Sequence, residues 1–143
     1  MDRLNKIINH PVYRDCVKQI RKCEQKRIFC HHDMGHFLDV ARLAYIISLE
    51  ENIAADKELI YAAALLHDIG RHCQYKDGTP HEIASADIAV DILKDCGFDA
   101  SEMDLIIEAI RQHRNKESAG RQDLTGIIYR ADMLSRSCFG CAA

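Results

Sequence analysis

Residues 59–69 read LIYAAALLHDI, and this stretch decides the fold of the chain. It is apolar on nearly every side up to Leu66, which is typical of a helix that other helices surround. Asp56 is placed to cap the start of this helix, and Gly70 is placed to end it. We therefore expect a helical bundle packed around residues 59–69.

The rest of the sequence also favours helices. Proline occurs only at positions 11 and 80, and no stretch shows the alternation that is typical of strands. We predict an all-α fold of about five to seven helices in one domain, with a core over about 30–136, a helical extension over 1–29 and a short tail over 137–143. The predicted helices cover about 11–27, 33–51, 59–69, 81–96, 101–114 and 123–136.

Turn and cap residues divide these helices. The segment 71–80 contains KDGTP and is predicted to be an ordered loop, and NKESAGRQ at 115–122 is predicted to be a polar linker. Gly97 follows the end of the fourth helix, and Ser101 with Asp104 resembles a capping arrangement for the fifth. Val12, Cys16, Ile20 and Cys23 are spaced as the apolar stripe of the first predicted helix.

Charge and length exclude several classes of protein. The formal charge of −3 over 143 residues gives no long-range positive field that would collect nucleic acid, so we expect no bulk nucleic-acid binding. The longest apolar stretch, YAAALL at 61–66, is too short to span a membrane, and the start MDRLNKIINH lacks the apolar core of a signal peptide. We expect no membrane partner and a cytoplasmic location.

The chain has seven cysteines, an odd number, and no export signal accompanies them. Free thiols are therefore expected rather than disulfides. Cys16, Cys23 and Cys30 recur every seven residues, which favours small buried side chains over a redox or metal role. Cys138 and Cys141 form a single CxxC pair, which supplies half of a structural zinc site.

Polar residues stand where the pattern is otherwise apolar. His67 and Asp68 end the most apolar helix, where an unpartnered carboxylate costs several kcal/mol to bury. His36 lies on the apolar stripe of the second predicted helix, and Asp132 lies among apolar residues of the last one. Each alone is more often a hydrogen-bonded core residue, a cap or an ion-pair partner. Four on separate buried faces favour a shared divalent cation.

The order of these residues resembles a known signature. His36 in GHFLDVARLA, His67-Asp68 in ALLHDIGR and Asp132 in IIYRADMLSR are similar to the H…HD…D signature of the HD superfamily of metal-dependent phosphohydrolases. The resemblance covers about residues 30–136. It implies an all-helical fold that holds a divalent metal in a core of about five helices.

The resemblance also implies a ligand set. A first metal ion would be bound by His36, His67, Asp68 and Asp132. A second would be bound by His81 and His113, with Asp68 as the bridging, catalytic carboxylate; the alternative is that His81 and His113 are surface histidines. Two imidazoles with two carboxylates suit Fe, Mn, Co, Ni or Zn, and Mg is also considered.

Such a site predicts hydrolysis of a small phosphorylated substrate. Metal-bound hydroxide is a nucleophile at neutral pH, and the same ions draw charge from phosphate oxygens. Arg71, which follows HDIG, and Arg136, one turn beyond Asp132, are predicted to bind substrate phosphate. Glu82 is a possible partner of a ligand or proton carrier, and His31, His32 and His72 are expected to be exposed or to support ligands from behind.

We expect the substrate to be a nucleotide or another small phosphorylated molecule. A cyclic dinucleotide is disfavoured because the GYP-type extension of those enzymes is absent from the sequence. Two alternatives from other classes stay open: a non-catalytic module in which the metal is structural or senses a ligand, and a di-iron oxygenase that depends on O2.

Overall fold

Every regular element is helical in the computed structural model, which describes residues 2–27 and 31–136. The prediction of an all-α fold is confirmed. The described residues form eight α-helices and one 3-10 helix: α1 (Asp2–Asn9), α2 (Pro11–Cys23), α3 (Met34–Glu50), α4 (Lys57–Leu66), α5 (Arg71–Asp77), α6 (His81–Asp95), α7 (Ala100–Arg111), the 3-10 helix (Lys116–Gly120) and α8 (Leu124–Ser135). Helices α1 and α5 were not predicted as separate elements.

Helix α4 lies at the centre of the bundle, as its sequence predicts. It packs against α1, α3, α6, α7 and α8. All of its residues from Leu59 to Leu66 are buried except Tyr61, which is half-buried. The Asp56 side chain caps the helix by accepting hydrogen bonds from the backbone N–H groups of Glu58 and Leu59, as expected.

The end of α4 differs from the prediction. The helix stops at Leu66, so His67 and Asp68 lie in the turn that follows it. Gly70 does not end the helix through a left-handed conformation, since its φ is −95°. Its backbone N–H instead donates to Ser85 Oγ at 2.8 Å, and a Cβ atom at Gly70 would lie 2.5 Å from the backbone nitrogen of Ser85. Glycine therefore allows this turn to touch α6.

The prediction of a loop over residues 71–80 is wrong for most of that segment. Residues Arg71–Asp77 form α5, and the helix ends at Gly78, which has a φ of 79°. The turn residues that suggested a loop occupy only the last few positions, where Asp77 accepts hydrogen bonds from the backbone and hydroxyl of Thr79. A seven-residue helix is too short to show a clear apolar period in the sequence.

Helix α7 is capped by different residues from those predicted. Asp99 and Glu102 form a reciprocal capping box, so the pair is displaced by two residues from Ser101 and Asp104. Gly97 follows α6 with a φ of 88°, as predicted for a residue beyond a helix end. The polar linker at 115–122 contains the 3-10 helix.

The apolar stripe predicted for α2 is partly wrong. Cys16 and Ile20 are buried, but Val12 is 45% exposed and Cys23 is also exposed. Tyr13 takes the inward position instead, and its hydroxyl donates to the backbone oxygen of Leu65 in α4 at 3.0 Å. The N-terminal extension is thereby joined to the central helix.

The described cysteines Cys16, Cys23, Cys73 and Cys96 are free thiols. Cys30 and the Cys138–Cys141 pair lie outside the described residues. No helix within residues 2–27 and 31–136 combines the length and apolar character needed to cross a membrane.

Candidate metal centre

Six side chains from five parts of the fold meet at one end of α4. They come from the first turn of α3, the turn after α4, the start of α6, the turn that follows α7, and the last turn of α8: His36, His67, Asp68, His81, His113 and Asp132. Only His36 is half-buried, and the other five are buried. The structure therefore brings together all six residues that the sequence singled out as metal ligands.

Four of these residues form a first donor group. Nε2 of His36 lies 3.3 Å from Oδ2 of Asp68 and 3.5 Å from Oδ1 of Asp132. Nε2 of His67 lies 3.2 Å and 3.5 Å from the same two oxygens. The four atoms thus face a common centre that α3, α8 and the turn after α4 enclose.

A second donor group lies on the other side of Asp68. Its Oδ1 atom is 3.4 Å from Nε2 of His81 and 3.3 Å from Nε2 of His113, and these two nitrogens are 3.1 Å apart. Asp68 therefore takes part in both groups through different oxygens. A carboxylate in this position is suited to join two ions.

Hydrogen bonds fix the orientation of three of the imidazole rings. Nδ1 of His67 donates to the backbone oxygen of Ala64 at 2.6 Å, and Nδ1 of His113 donates to the backbone oxygen of Ile110 at 2.6 Å. Nδ1 of His81 lies 2.7 Å from Oε1 of Gln74. With Nδ1 bonded in this way, each ring directs Nε2 toward the centre, which is the arrangement that histidine ligands require.

Buried donor atoms without partners test whether a cation fits. Within the described part of the chain, Nε2 of His36 and His67, both carboxylate oxygens of Asp68 and Oδ1 of Asp132 have no hydrogen-bond partner. Buried polar atoms are normally paired, and leaving them unpaired costs about 1–3 kcal/mol each. One or two cations would satisfy all five atoms at once.

The spacing of the donor atoms also suits metal ions. Ligand atoms about 2.1 Å from one ion lie about 3.0 Å apart at right angles and about 3.4 Å apart in a tetrahedron. The imidazole–carboxylate separations in the two groups run from 3.2 to 3.5 Å, and the Nε2 atoms of His81 and His113 are 3.1 Å apart. The donor set of imidazoles and carboxylates suits first-row transition metals. The residues therefore fit one or two divalent ions.

The electrostatics of the site reflect this close contact of acids and imidazoles. Burial lowers the pKa of His67, yet the carboxylates of Asp68 and Asp132 raise it to about 10. Burial opposes ionisation of Asp68 and Asp132, but the neighbouring histidines hold the pKa of both well below the usual range. Burial lowers the pKa of His81 to about 3, which keeps this ring neutral. Metal ions would thus replace protons at the first group.

The two arginines predicted to bind phosphate flank the donor groups. Nε of Arg71 lies 3.4 Å from Oδ1 of Asp68, and a terminal nitrogen of Arg136 lies 3.6 Å from Oδ2 of Asp132. Both side chains are only partly exposed. They bring positive charge to the rim of a site whose centre holds two carboxylates.

The other histidines differ from the expectation in part. His31 is exposed, whereas His32 and His72 are buried, so for these two only the other half of the expectation, support of a ligand from behind, stays open. His32 lies beside the first donor group, with Nε2 4.0 Å from Oδ2 of Asp68. Glu82 lies 3.6 Å from Nδ1 of His81, which allows the supporting role considered for it.

Three supporting residues were missed by sequence reasoning. The side-chain oxygen of Gln74 accepts the backbone N–H of His81 and also contacts Nδ1 of the His81 ring. Glu24 and Tyr75 form a hydrogen-bonded chain to His32. Gln74 and Tyr75 fell in the segment predicted to be a loop. Glu24 stands at the end of a helix in a charged stretch, where nothing marks it as buried.

Comparisons with known proteins agree with the site. The HD domain family model matches residues 33–137. An uncharacterized protein of Clostridium beijerinckii is 45% identical over 141 residues, which cover 99% of this chain and 88% of that protein. Ribonuclease Y of Campylobacter concisus is 32% identical over 132 residues, which cover 92% of this chain but only 22% of the relative.

A solved structure is also similar. The crystal structure of a protein described as a predicted HD superfamily hydrolase, from an uncultured Thermotogales bacterium, superposes with a TM-score of 0.64 at 32% identity. The match covers 85% of this chain and 66% of that one. The family model spans α3 to α8 and includes all six clustered residues. This chain therefore belongs to the HD domain family of metal-dependent phosphohydrolases.

Proposed function

We propose that the protein is a metal-dependent phosphohydrolase that cleaves a phosphoester or phosphoanhydride bond in a nucleotide or another small phosphorylated molecule. The observation that carries this proposal is the position of Asp68, whose two oxygens face different donor groups. A pair of ions joined by one carboxylate suits the attack on a phosphate group.

The two donor groups would each hold one ion. His36, His67, Asp68 and Asp132 would hold one ion, and Asp68, His81 and His113 would hold the other. When bound, the ions supply Lewis acidity toward phosphate oxygens and lower the pKa of a bound water. The hydrogen bonds on the Nδ1 atoms keep the rings in place, so the ligands need little rearrangement when substrate binds.

Arg71 and Arg136 supply the contacts to substrate in this proposal. Their positions at Asp68 and Asp132 put two guanidinium groups within reach of a phosphate bound at the donor groups. Guanidinium groups bind phosphate oxygens through two parallel hydrogen bonds. These arginines would orient the substrate for in-line attack.

The donor count favours catalysis over a purely structural metal site. The first group offers four protein donors and the second offers three. A six-coordinate ion would therefore keep positions for water or substrate, whereas structural sites close their coordination with protein groups. This argues against the alternative of a non-catalytic module.

A phosphodiester of RNA is the second candidate substrate. The similarity to ribonuclease Y favours it, although this chain covers only 22% of that relative's length. The net charge of −3 favours a small substrate over a long polyanion. We propose that the protein acts in the cytoplasm, where its nucleotide substrates occur.

A screen for phosphate release tests the proposal. Freshly purified protein would first be analysed for bound metals and then supplied with Mn or Fe. Nucleoside mono-, di- and triphosphates, dinucleoside polyphosphates, cyclic dinucleotides and a short single-stranded RNA would be offered, with products separated by chromatography. We expect turnover of at least one small nucleotide, and cleavage of the RNA alone would instead favour the second candidate.

Asp68→Ala is the control for this screen. Loss of the shared carboxylate should remove metal and activity together, because both donor groups depend on it. Asp39→Ala, at an exposed position of α3, serves as the matched variant that should keep both. A fully metal-loaded Asp68→Ala protein, or a wild-type protein without turnover of any substrate, would contradict the proposal.

A further inference from the structure

His32 lies beside the first donor group without belonging to it. Its Nε2 atom is 4.0 Å from Oδ2 of Asp68, and its ring packs edge-on against the ring of His36 at 5.4 Å between centroids. The residue is 7% exposed and stands just before the segment that matches the family. It is thus a buried imidazole at the centre that the proposed ligand set does not use.

Glu24, at the end of α2, fixes this histidine in place. One carboxylate oxygen accepts the backbone N–H of His32 at 2.7 Å, and the other accepts Nδ1–H of the ring at 2.6 Å. The second oxygen also accepts the hydroxyl of Tyr75 from α5 at 2.6 Å. Both the chain and the ring of His32 are held, so Nε2 is directed toward Asp68.

The partner of His32 differs from the partners of the proposed ligands. Nδ1 of His67 and His113 donates to a backbone carbonyl, and Nδ1 of His81 faces a side-chain amide oxygen. These neutral acceptors suit neutral rings that bind metal through Nε2. The carboxylate of Glu24 instead holds both the ring and the backbone of His32, which fixes the direction in which Nε2 points.

Distance separates His32 from the ligands as well. The nitrogen–oxygen pairs of the donor groups are 3.2 to 3.5 Å apart, whereas Nε2 of His32 lies 4.0 Å from Oδ2 of Asp68. On the other side of the same carboxylate, Nε of Arg71 is 3.4 Å from Oδ1. Side-chain nitrogens of His32 and Arg71 therefore flank Asp68, one beside each carboxylate oxygen.

We propose that His32 binds an oxygen of the substrate phosphate on the side of the first donor group, and that Glu24 is the residue that positions it. The inference rests on the proposed function. If His32 and Glu24 act in this way, α2, which lies before the segment that matches the family, contributes to the active site as well as to packing. Arg71 would bind the phosphate from the opposite side of Asp68.

The test compares His32→Asn with wild type in the full-length, metal-loaded protein. Metal content would be measured by elemental analysis, and the Kd of inorganic phosphate by calorimetry. We expect unchanged metal content and a phosphate Kd raised at least tenfold. On the substrate found in the screen, KM should rise more than kcat falls. His31→Asn, at the exposed neighbouring position, is the matched control and should leave all four values unchanged.

Glu24→Gln tests the positioning role separately. An amide can accept only through its oxygen, so it cannot satisfy all three donors that now meet the carboxylate. The phosphate Kd should rise by about threefold to tenfold, less than for His32→Asn, while metal content is kept. If His32→Asn lowers the melting temperature, His32→Gln provides a second variant of similar polarity and larger volume.

Two results would overturn the inference. Wild-type phosphate affinity in folded His32→Asn or His32→Gln would mean that the ring does not contact phosphate. A loss of metal in proportion to the loss of phosphate binding would make His32 a ligand instead. Because calorimetry with inorganic phosphate needs no turnover, a wild-type protein that hydrolyses nothing would refute the proposed function while the role of His32 is still measured.

Discussion

Nε2 of His81 and Nε2 of His113 lie 3.1 Å apart, although the Nδ1 atom of each ring already faces an oxygen acceptor. Two neutral rings in these tautomers direct their lone pairs at each other, which is repulsive unless a proton or cation lies between them. Asp68 lies within 3.4 Å of both nitrogens and adds negative charge to the same point. A divalent ion removes this conflict.

The second ion should depend on His113 while the first should not. His113→Ala removes one of three donors from the second group and none from the first. We expect elemental analysis to give about one ion per chain instead of about two. A stoichiometry equal to that of the wild type would show that the second group does not hold an ion.

Arg71→Ala should weaken substrate binding without removing metal. Its guanidinium contacts Asp68 from the rim and is not among the donor atoms. We expect KM to rise about tenfold, which corresponds to about 1.4 kcal/mol of lost binding. Arg42→Ala is the control, because Arg42 is exposed and pairs only loosely with exposed Asp39 at 3.7 Å. Equal KM values for the two variants would argue against the role.

Gly70 should be intolerant of any side chain. A Cβ atom there would lie 2.5 Å from the backbone nitrogen of Ser85, so the turn carrying His67 and Asp68 would have to move away from α6. We expect Gly70→Ala to lower the free energy of unfolding by about 1–3 kcal/mol in urea titrations and to reduce metal content.

Gly120→Ala is the matched control for this substitution, because a Cβ atom at Gly120 meets nothing within 4 Å and its φ is not positive. Its stability should equal that of the wild type within about 0.5 kcal/mol. If Gly70→Ala were equally harmless, the contact between the turn and α6 would be looser than the structure has it.

The Glu24 interactions should make stability depend on pH in the acid range. Burial raises the pKa of this carboxyl group, but hydrogen bonds from His32 and Tyr75 outweigh it and lower the pKa from 4.5 to about 2. A lowered folded-state pKa stabilises the fold above the unfolded value, and this contribution is lost as the pH falls from about 5 to about 2.

The measurement is the difference in unfolding free energy between the wild type and Glu24→Gln at several pH values. We expect a difference of up to about 3 kcal/mol at pH 6 that shrinks steadily below pH 4.5. A difference that stays constant down to pH 3 would mean that the charge of Glu24 does not stabilise the fold.

Local patterns in the sequence were enough to predict the central helix and to single out His36, His67, Asp68 and Asp132, whereas His81 and His113 were predicted as ligands only from the resemblance to the HD superfamily. Residues 59–66 are apolar on nearly every side and therefore have to be buried inside a bundle, and those four polar side chains stood out against apolar surroundings. What these patterns missed depends on contacts between distant segments. Gly70 serves packing against Ser85 rather than helix termination, which no local signal reveals.

The surroundings of His32 were missed for the same reason. Glu24 and Tyr75 become its partners only because α2 and α5 pack together, and α5 was itself predicted to be a loop. Helix α5 has only seven residues and is followed directly by turn-forming residues, so its local sequence indicates a loop. Such a short helix is stabilised by its contacts with the rest of the fold rather than by its own sequence.

The most direct test of the whole account is an anomalous diffraction map from crystals of the protein loaded with Mn or Fe. We predict two peaks, one bound by His36, His67, Asp68 and Asp132 and the other by Asp68, His81 and His113. An absence of anomalous density between these side chains, in crystals that contain stoichiometric metal elsewhere, would contradict it.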